Sequence, residues 1–412
     1  MIPLRLMQKI NTHTSSNGTR LIHMHRNSDV AYMAVIINTG TRDEAPKEHG
    51  ISHFIEHLIF KGTQKRKAWQ ILSRLEDVGG EVDAFTTKED TNLFAAFPAK
   101  YFERTFDLFS DIIFNSIFPE KEIVKEREVI IDEINSYKDS PAEQIFDDFE
   151  EILYDGHPLG RNILGTEKSL KKIGLQEIKD FIAAKYNTDQ IVVCCMGNVD
   201  FSKILFWFEK YFGSIPNNPR IFTRPLFTAL KPQSVEKRKK THQIHCVIGT
   251  TAYHYHDKRR NAFQLLNNIL GGPGMNSRLN LQLREKNGLV YNIESSYSPY
   301  SDTGSFAIYF GAETDHFDKS QKLILQELKK LYTQKISDPQ LKKAKTQFIG
   351  QLYISLESPE TQLMGMGKTY LNYNQVLSMN EIRERIEEIT AVDIIEAASI
   401  LVPENLSFLK YY

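Results

Sequence analysis

The feature that most restricts how this 412-residue chain can fold is that its second half repeats the order of its first. Gly80 opens the run Glu81-Val82-Asp83-Ala84-Phe85-Thr86, which passes through a polar turn into Asn92-Leu93-Phe94-Ala95-Ala96-Phe97. Gly288, 208 positions on, opens Leu289-Val290-Tyr291-Asn292-Ile293-Glu294, which turns into Gly304-Ser305-Phe306-Ala307-Ile308-Tyr309-Phe310. Each is a glycine, a strand, a polar turn and an aromatic strand. The chain is too long for one ordinary core. A repeated order of strands and helices therefore predicts two homologous α+β domains, mostly antiparallel sheet packed with helices. Between them, residues 213–240 carry Gly213, Pro216, Pro219, Pro225 and Pro232 and end in Lys237-Arg238-Lys239-Lys240, which reads as an extended linker. The expected division is 1–212, 213–240 and 241–412.

Within that frame, residues 19–40 read as a hairpin turning at Asn27-Ser28-Asp29, and Lys67–Val78 as a helix stopped by Gly79-Gly80. Helices are expected through Lys100–Glu151, then Leu175–Tyr186, a strand Gln190–Met196 and a helix Phe201–Phe212. The second half reads as strand Gln243–Thr251, helices Arg260–Leu270 and Ser277–Lys286, then the strand pair above. Helices His316–Lys335, Pro339–Glu357, Pro359–Asn374 and Met379–Leu401 precede a strand at Leu406–Tyr411. With 51 basic and 52 acidic residues the net charge is −1, and four basic residues at 237–240 do not make a nucleic-acid site. Cys194, Cys195 and Cys246 sit in apolar runs without metal-site spacing and read as buried reduced thiols. No stretch approaches the roughly 20 apolar residues of a membrane span. Met1–Lys9 has no long apolar targeting stretch, so the chain is expected to be cytoplasmic.

Chemistry concentrates in Gly50-Ile51-Ser52-His53-Phe54-Ile55-Glu56-His57-Leu58-Ile59-Phe60. On a helix, His53 and His57 fall at i and i+4, one above the other, and Glu56 lies close to their face. Two imidazoles so placed can grip one metal ion beside a carboxylate that can polarise water. Paired histidines also occur as satisfied core residues, and a third ligand separates the two readings, because catalytic zinc usually takes three protein ligands. In Lys121–Ile134, Glu126 and Glu133 lie seven apart, on one helical face, and Glu133 stands among Val129, Ile130, Ile131 and Ile134. His23 and His25 alternate on a strand with no carboxylate pattern nearby, so no metal is expected there.

These motifs have a known setting. H-x-x-E-H is the inverted zinc-peptidase signature, and the chain resembles the pitrilysin/insulinase-type inverzincin metallopeptidases. The closest likeness is to their short, two-domain branch, which includes the catalytic subunit of mitochondrial processing peptidase and bacterial relatives. That family takes its third ligand from a V-I-x-x-E-like helix, and Glu133, 76 positions after His57, fits. Glu126 matches a second family acid that supports the metal site. Leu283-Arg284-Glu285-Lys286-Asn287-Gly288-Leu289-Val290-Tyr291 carries the family's substrate-contacting arginine and tyrosine. The departures are Ser52, where alanine is frequent, and Asp83, where asparagine is frequent. Gly271-Gly272-Pro273-Gly274 is shorter than the glycine-rich loop of the non-catalytic processing-peptidase subunit, and that loop's role does not carry over.

The resemblance implies one Zn²⁺ per chain on His53, His57 and Glu133, with Glu56 as general base and Glu126 as support. It implies Tyr291 as oxyanion donor and Arg284 as a hold on the substrate backbone, both from the second half. The implied substrates are unfolded peptides or presequence-like segments added as a strand along Val82–Thr87. Full-length relatives have four such domains, so a two-domain chain implies a homodimer, or else a heterodimer with a metal-less paralogue. Nucleic acid and membrane are not expected partners. The alternative from another class is a catalytically silent scaffold subunit, although such members typically lose motif residues that are all present here.

Overall fold

A computed structural model describes residues 10–412; Met1–Lys9, read above for a targeting stretch, lies outside the described residues. The chain forms two units, and each is built on one sheet. In the first unit, six strands occur: β1 (Ile10–Thr14), β2 (Arg20–His25), β3 (Val30–Ile37), β4 (Glu81–Thr86), β5 (Thr91–Pro98) and β6 (Ile191–Gly197). They are ordered β1-β2-β6-β3-β5-β4, with β2 and β6 parallel and the other neighbours antiparallel. The expected hairpin at 19–40 is therefore not one: both strands form, but β6 lies between them. All seven residues of β6 are buried, and a strand that is apolar on both faces belongs inside a sheet.

The two faces of this sheet are read off by alternation. Leu21, Met33, Val35, Val193 and Cys195 point into a core with Phe54, Phe106 and Phe109. Ile22, Met24, Ala34, Ile36, Val192, Cys194 and Met196 point the other way, under Leu363, Met364, Met366 and Tyr370 of the helix Pro359–Tyr373. Cys194 and Cys195 thus lie on opposite faces, and all three cysteines are free and buried. Gly367 lets that helix approach, since a Cβ there would collide with Ile36 Cδ1 and lie 2.6 Å from Cys194 Sγ. Gly367→Leu is expected to lower stability by about 1–3 kcal/mol through overpacking, measured as a reduced urea midpoint at unchanged slope.

The second unit has β7 (Ser234–Lys237), β8 (Ile244–Ala252), β9 (Val290–Pro299), β10 (Gly304–Ala312) and β11 (Ser407–Tyr411). Their order is β7-β11-β8-β10-β9, with β7 and β11 parallel. This is the pattern β2-β6-β3-β5-β4 over again, so the duplication holds for five strands, with β1 an addition to the first sheet. It also places β7, the counterpart of β2, inside the segment read as a linker. Its sequence Ser-Val-Glu-Lys has one apolar residue and gives no strand pattern to find. The helix Pro141–Leu153 sets Ile145, Phe149 and Leu153 against Val247, Leu409 and Tyr411.

The units therefore do not follow a division into 1–212 and 241–412. The first comprises residues up to Ile134, Asn162–Arg224 and Ser355–Val376; the second comprises Asn135–Arg161, Pro225–Ile354 and Leu377–Tyr412. Each sheet is covered by a helix from the opposite half of the sequence. The expected single helix Met379–Leu401 is two, Met379–Glu387 and Ala391–Ala398. Thr390 starts the second one: its Oγ1 accepts from Asp393 N at 3.2 Å, and the Asp393 carboxylate accepts from Thr390 N at 2.7 Å, a capping box. Among the described residues no helix is long and apolar enough to cross a membrane.

Candidate metal centre

The helix Ile51–Leu58 is held by a fully buried face of Ile51, Phe54, Ile55 and Leu58. Its N-terminus is inside the protein, where free N–H groups need acceptors. Glu44 supplies them, accepting from Gly50 N at 2.8 Å and Ser52 N at 2.9 Å. A carboxylate there also complements the helix dipole. Gly50 has φ +92°, and a Cβ on it would stand 2.8 Å from Gly165 Cα, so the entry to the helix requires glycine.

His53 and His57 leave this helix together, their ring centroids 4.7 Å apart. The helix Glu120–Lys138 brings Glu133 to them: its Oε2 is 3.8 Å from His53 Nε2 and 3.8 Å from His57 Nε2. One ligand atom from each of the three lies within 4.8 Å of the others. Separations of 3.8 Å are too long for hydrogen bonds and leave room for an ion bonded at about 2.0–2.2 Å to each atom. The donor set, two imidazoles and a carboxylate, is one that zinc takes with a position left open. Burial, reinforced by His57, pulls the His53 pKa down to about 3, so its imidazole is neutral and free to ligate. Burial pushes the Glu133 carboxyl up, against the opposing pull of His57. These residues fit zinc.

Glu126, two helical turns before Glu133, faces the other ring nitrogen of His57: Oε2 is 3.2 Å from Nδ1. With a carboxylate as partner the ring donates, which leaves Nε2 as the lone-pair nitrogen toward Glu133. Burial works to raise the Glu126 pKa, but hydrogen bonds from Lys61 and His57 outweigh it and hold the carboxyl below its ordinary value. Glu56 lies beside the cluster, where Thr86 Oγ1 of β4 donates to its Oε2 at 2.6 Å. Burial raises its pKa to about 7, against the Thr86 hydrogen bond and with help from Glu133 and Asp83. Glu44, Lys61 and Thr86 escaped the sequence reading. Only Lys61, four positions after His57, stood where a motif could have pointed.

Asp83 is an exposed residue of β4 whose Oδ1 accepts from Ala84 N at 2.8 Å. β4 itself is an edge strand with β5 as its one neighbour. In the second unit, Arg284 lies in the helical turn Asn280–Glu285, and Tyr291 stands on the edge strand β9, 81% exposed. His25 is exposed, 3.1 Å from Asn198 Oδ1, whereas His23 is buried and stacked on Phe201. Burial, reinforced by His25, lowers the His23 pKa to about 4. The unfolded chain therefore binds more protons between about pH 6.5 and 4, and stability falls as pH drops through that window. His23→Leu is expected to lose less stability than the wild type between pH 7 and 5, read from urea midpoints.

The profile of "Insulinase (Peptidase family M16)" matches residues 20–167, and that of "Peptidase M16 inactive domain" matches 172–348. An uncharacterized zinc protease of Bacillus subtilis, YmxG, is 33% identical over 389 residues, covering 93% of each chain. The mitochondrial-processing peptidase subunit beta of Saccharomyces cerevisiae is 30% identical over 389 residues, covering 90% of this chain and 83% of that one. Among solved structures, a protease from Helicobacter pylori superposes with a TM-score of 0.90 at 23% identity, covering 98% of this chain and all of that one. The last comparison speaks to the fold alone.

Proposed function

This chain belongs to the insulinase family, peptidase family M16, a family of zinc peptidases, and from that premise we propose that it is a zinc-dependent endopeptidase acting on unfolded or presequence-like peptides. The observation that carries the reading is the convergence of His53, His57 and Glu133 beside Glu56. Held by those three residues, zinc supplies Lewis-acid activation of water and of the scissile carbonyl. Glu56 takes a proton from the attacking water as its oxygen bonds to the carbonyl carbon, and passes that proton to the amine as the C–N bond breaks. A carboxyl whose burial raises its pKa to about 7 is suited to hold and release a proton near neutral pH. Thr86 fixes the direction in which it does so.

The open edge of β4 supports binding of the substrate as an added strand, with main-chain hydrogen bonds that tolerate many sequences. Arg284 is assigned to hold the substrate backbone and Tyr291 to donate to the oxyanion, both on the strength of the resemblance. The silent-scaffold alternative draws on the "inactive domain" description of residues 172–348. The ligand cluster lies outside that range, so the description suits the half without the H-x-x-E-H motif. A homodimer is the expected assembly; the yeast relative is named as a subunit, which keeps a heterodimer as the alternative, and the mass in solution decides between them. The defining experiment measures zinc content and the digestion of a quenched unstructured peptide. One zinc per chain with cleavage of the peptide is expected; a pure protein without stoichiometric zinc overturns the reading.

A further inference from the structure

Glu126 is a carboxylate with its side chain only 6% exposed, and two groups engage it from opposite oxygens. Oε2 faces His57 Nδ1 at 3.2 Å, while Oε1 is 2.9 Å from Lys61 Nζ. Lys61 sits in the turn that follows the helix Ile51–Leu58, where its backbone N–H bonds Leu58 O at 3.0 Å. The turn is tied to the helix end, so the ammonium is carried by the same element as His57. A buried carboxylate without a cation is an uncompensated charge that turns toward water. His57 then loses the acceptor that selects its tautomer and ring direction.

We propose that Lys61 is a positioning residue for the metal centre: by clamping one oxygen of Glu126 it keeps the other on His57 Nδ1, so that His57 Nε2 is presented to the zinc. This rests on the zinc reading above. The chain of contacts runs Lys61 to Glu126 to His57, and it adds a fixed positive charge to a cluster that otherwise holds three carboxylates, Glu56, Glu126 and Glu133. A lysine serving only to close the turn would need its backbone and stem, whereas this role needs a cation at the end of the stem.

The test compares zinc affinities by chelator competition on the full chain. Lys61→Met keeps the stem, removes the charge and is expected to weaken zinc binding about 10–100-fold, the usual effect of removing an outer partner of a metal ligand. Lys61→Arg is expected to restore it. In a Glu126→Gln background, Lys61→Met should cost nothing further, because the lysine acts only through that carboxylate. The zinc-free thermal midpoint of Lys61→Met is expected to fall below that of the zinc-free wild type, because the Glu126 charge is left uncompensated, so zinc affinities are compared well below that midpoint. Unchanged zinc affinity in Lys61→Met overturns the proposal. So does a loss that arginine fails to restore, or one that persists undiminished in the Glu126→Gln background. A wild type that binds no stoichiometric zinc overturns the parent reading instead, before any variant is compared.

Discussion

Glu56→Gln is expected to slow peptide hydrolysis by about a thousandfold, within the range that general acid–base groups contribute, while one zinc per chain is retained. The amide is the same size and its oxygen can still accept from Thr86 Oγ1, now 2.6 Å from Glu56 Oε2. It cannot take a proton from water at neutral pH. The three ligand atoms come from other residues, so metal content separates loss of the base from loss of the centre. A variant that keeps wild-type kcat/KM shows that Glu56 is a buried neighbour of the site and nothing more.

Glu133→Gln has the second large effect, of a different kind. It removes the only anionic member of the ligand group, and zinc affinity is expected to fall by more than the roughly hundredfold typical of outer partners, with hydrolysis lost in parallel. The Glu133 side chain is 34% exposed, so the hydrophobic core does not depend on it. The zinc-free thermal midpoint should match the wild type's. Added zinc should raise the midpoint of the wild type, by the linkage of binding to folding, and leave that of the variant in place. A variant that binds zinc as tightly as the wild type moves the third ligand to another residue.

The two faces of the candidate centre were legible in the sequence because its members sit on two helices, where spacing translates directly into facing. That the two helices share one metal, with Glu133 as third ligand, was implied by the resemblance alone. His53 with His57, and Glu126 with Glu133, declare shared faces without any tertiary information. Thr86 was not legible, since a threonine at a strand end becomes a partner of Glu56 only once β4 lies against the helix. The strand pair β4/β5 was found through alternation and a short turn. The false hairpin shows the limit of that signal: β2 and β3 are consecutive in the chain, but β6, some 150 residues on, lies between them. Nothing local to β2 or β3 records this. Likewise Ile145, Phe149 and Leu153 announce that the helix Pro141–Leu153 has an apolar face, and not which sheet receives it.

That last point bears on how the chain is made. The face formed by Ile22, Ala34, Val192 and Cys194 has its cover in Leu363, Met364 and Met366, which leave the ribosome long after the final strand of that sheet. At roughly 5–20 residues per second, the apolar face stands open for on the order of ten seconds in every round of translation. A nascent chain in that state offers a hydrophobic surface to chaperones and to its own copies, and a fragment ending before Ser355 offers it permanently. The exchange of helices leaves the first-made half unfinished until most of the second has been made.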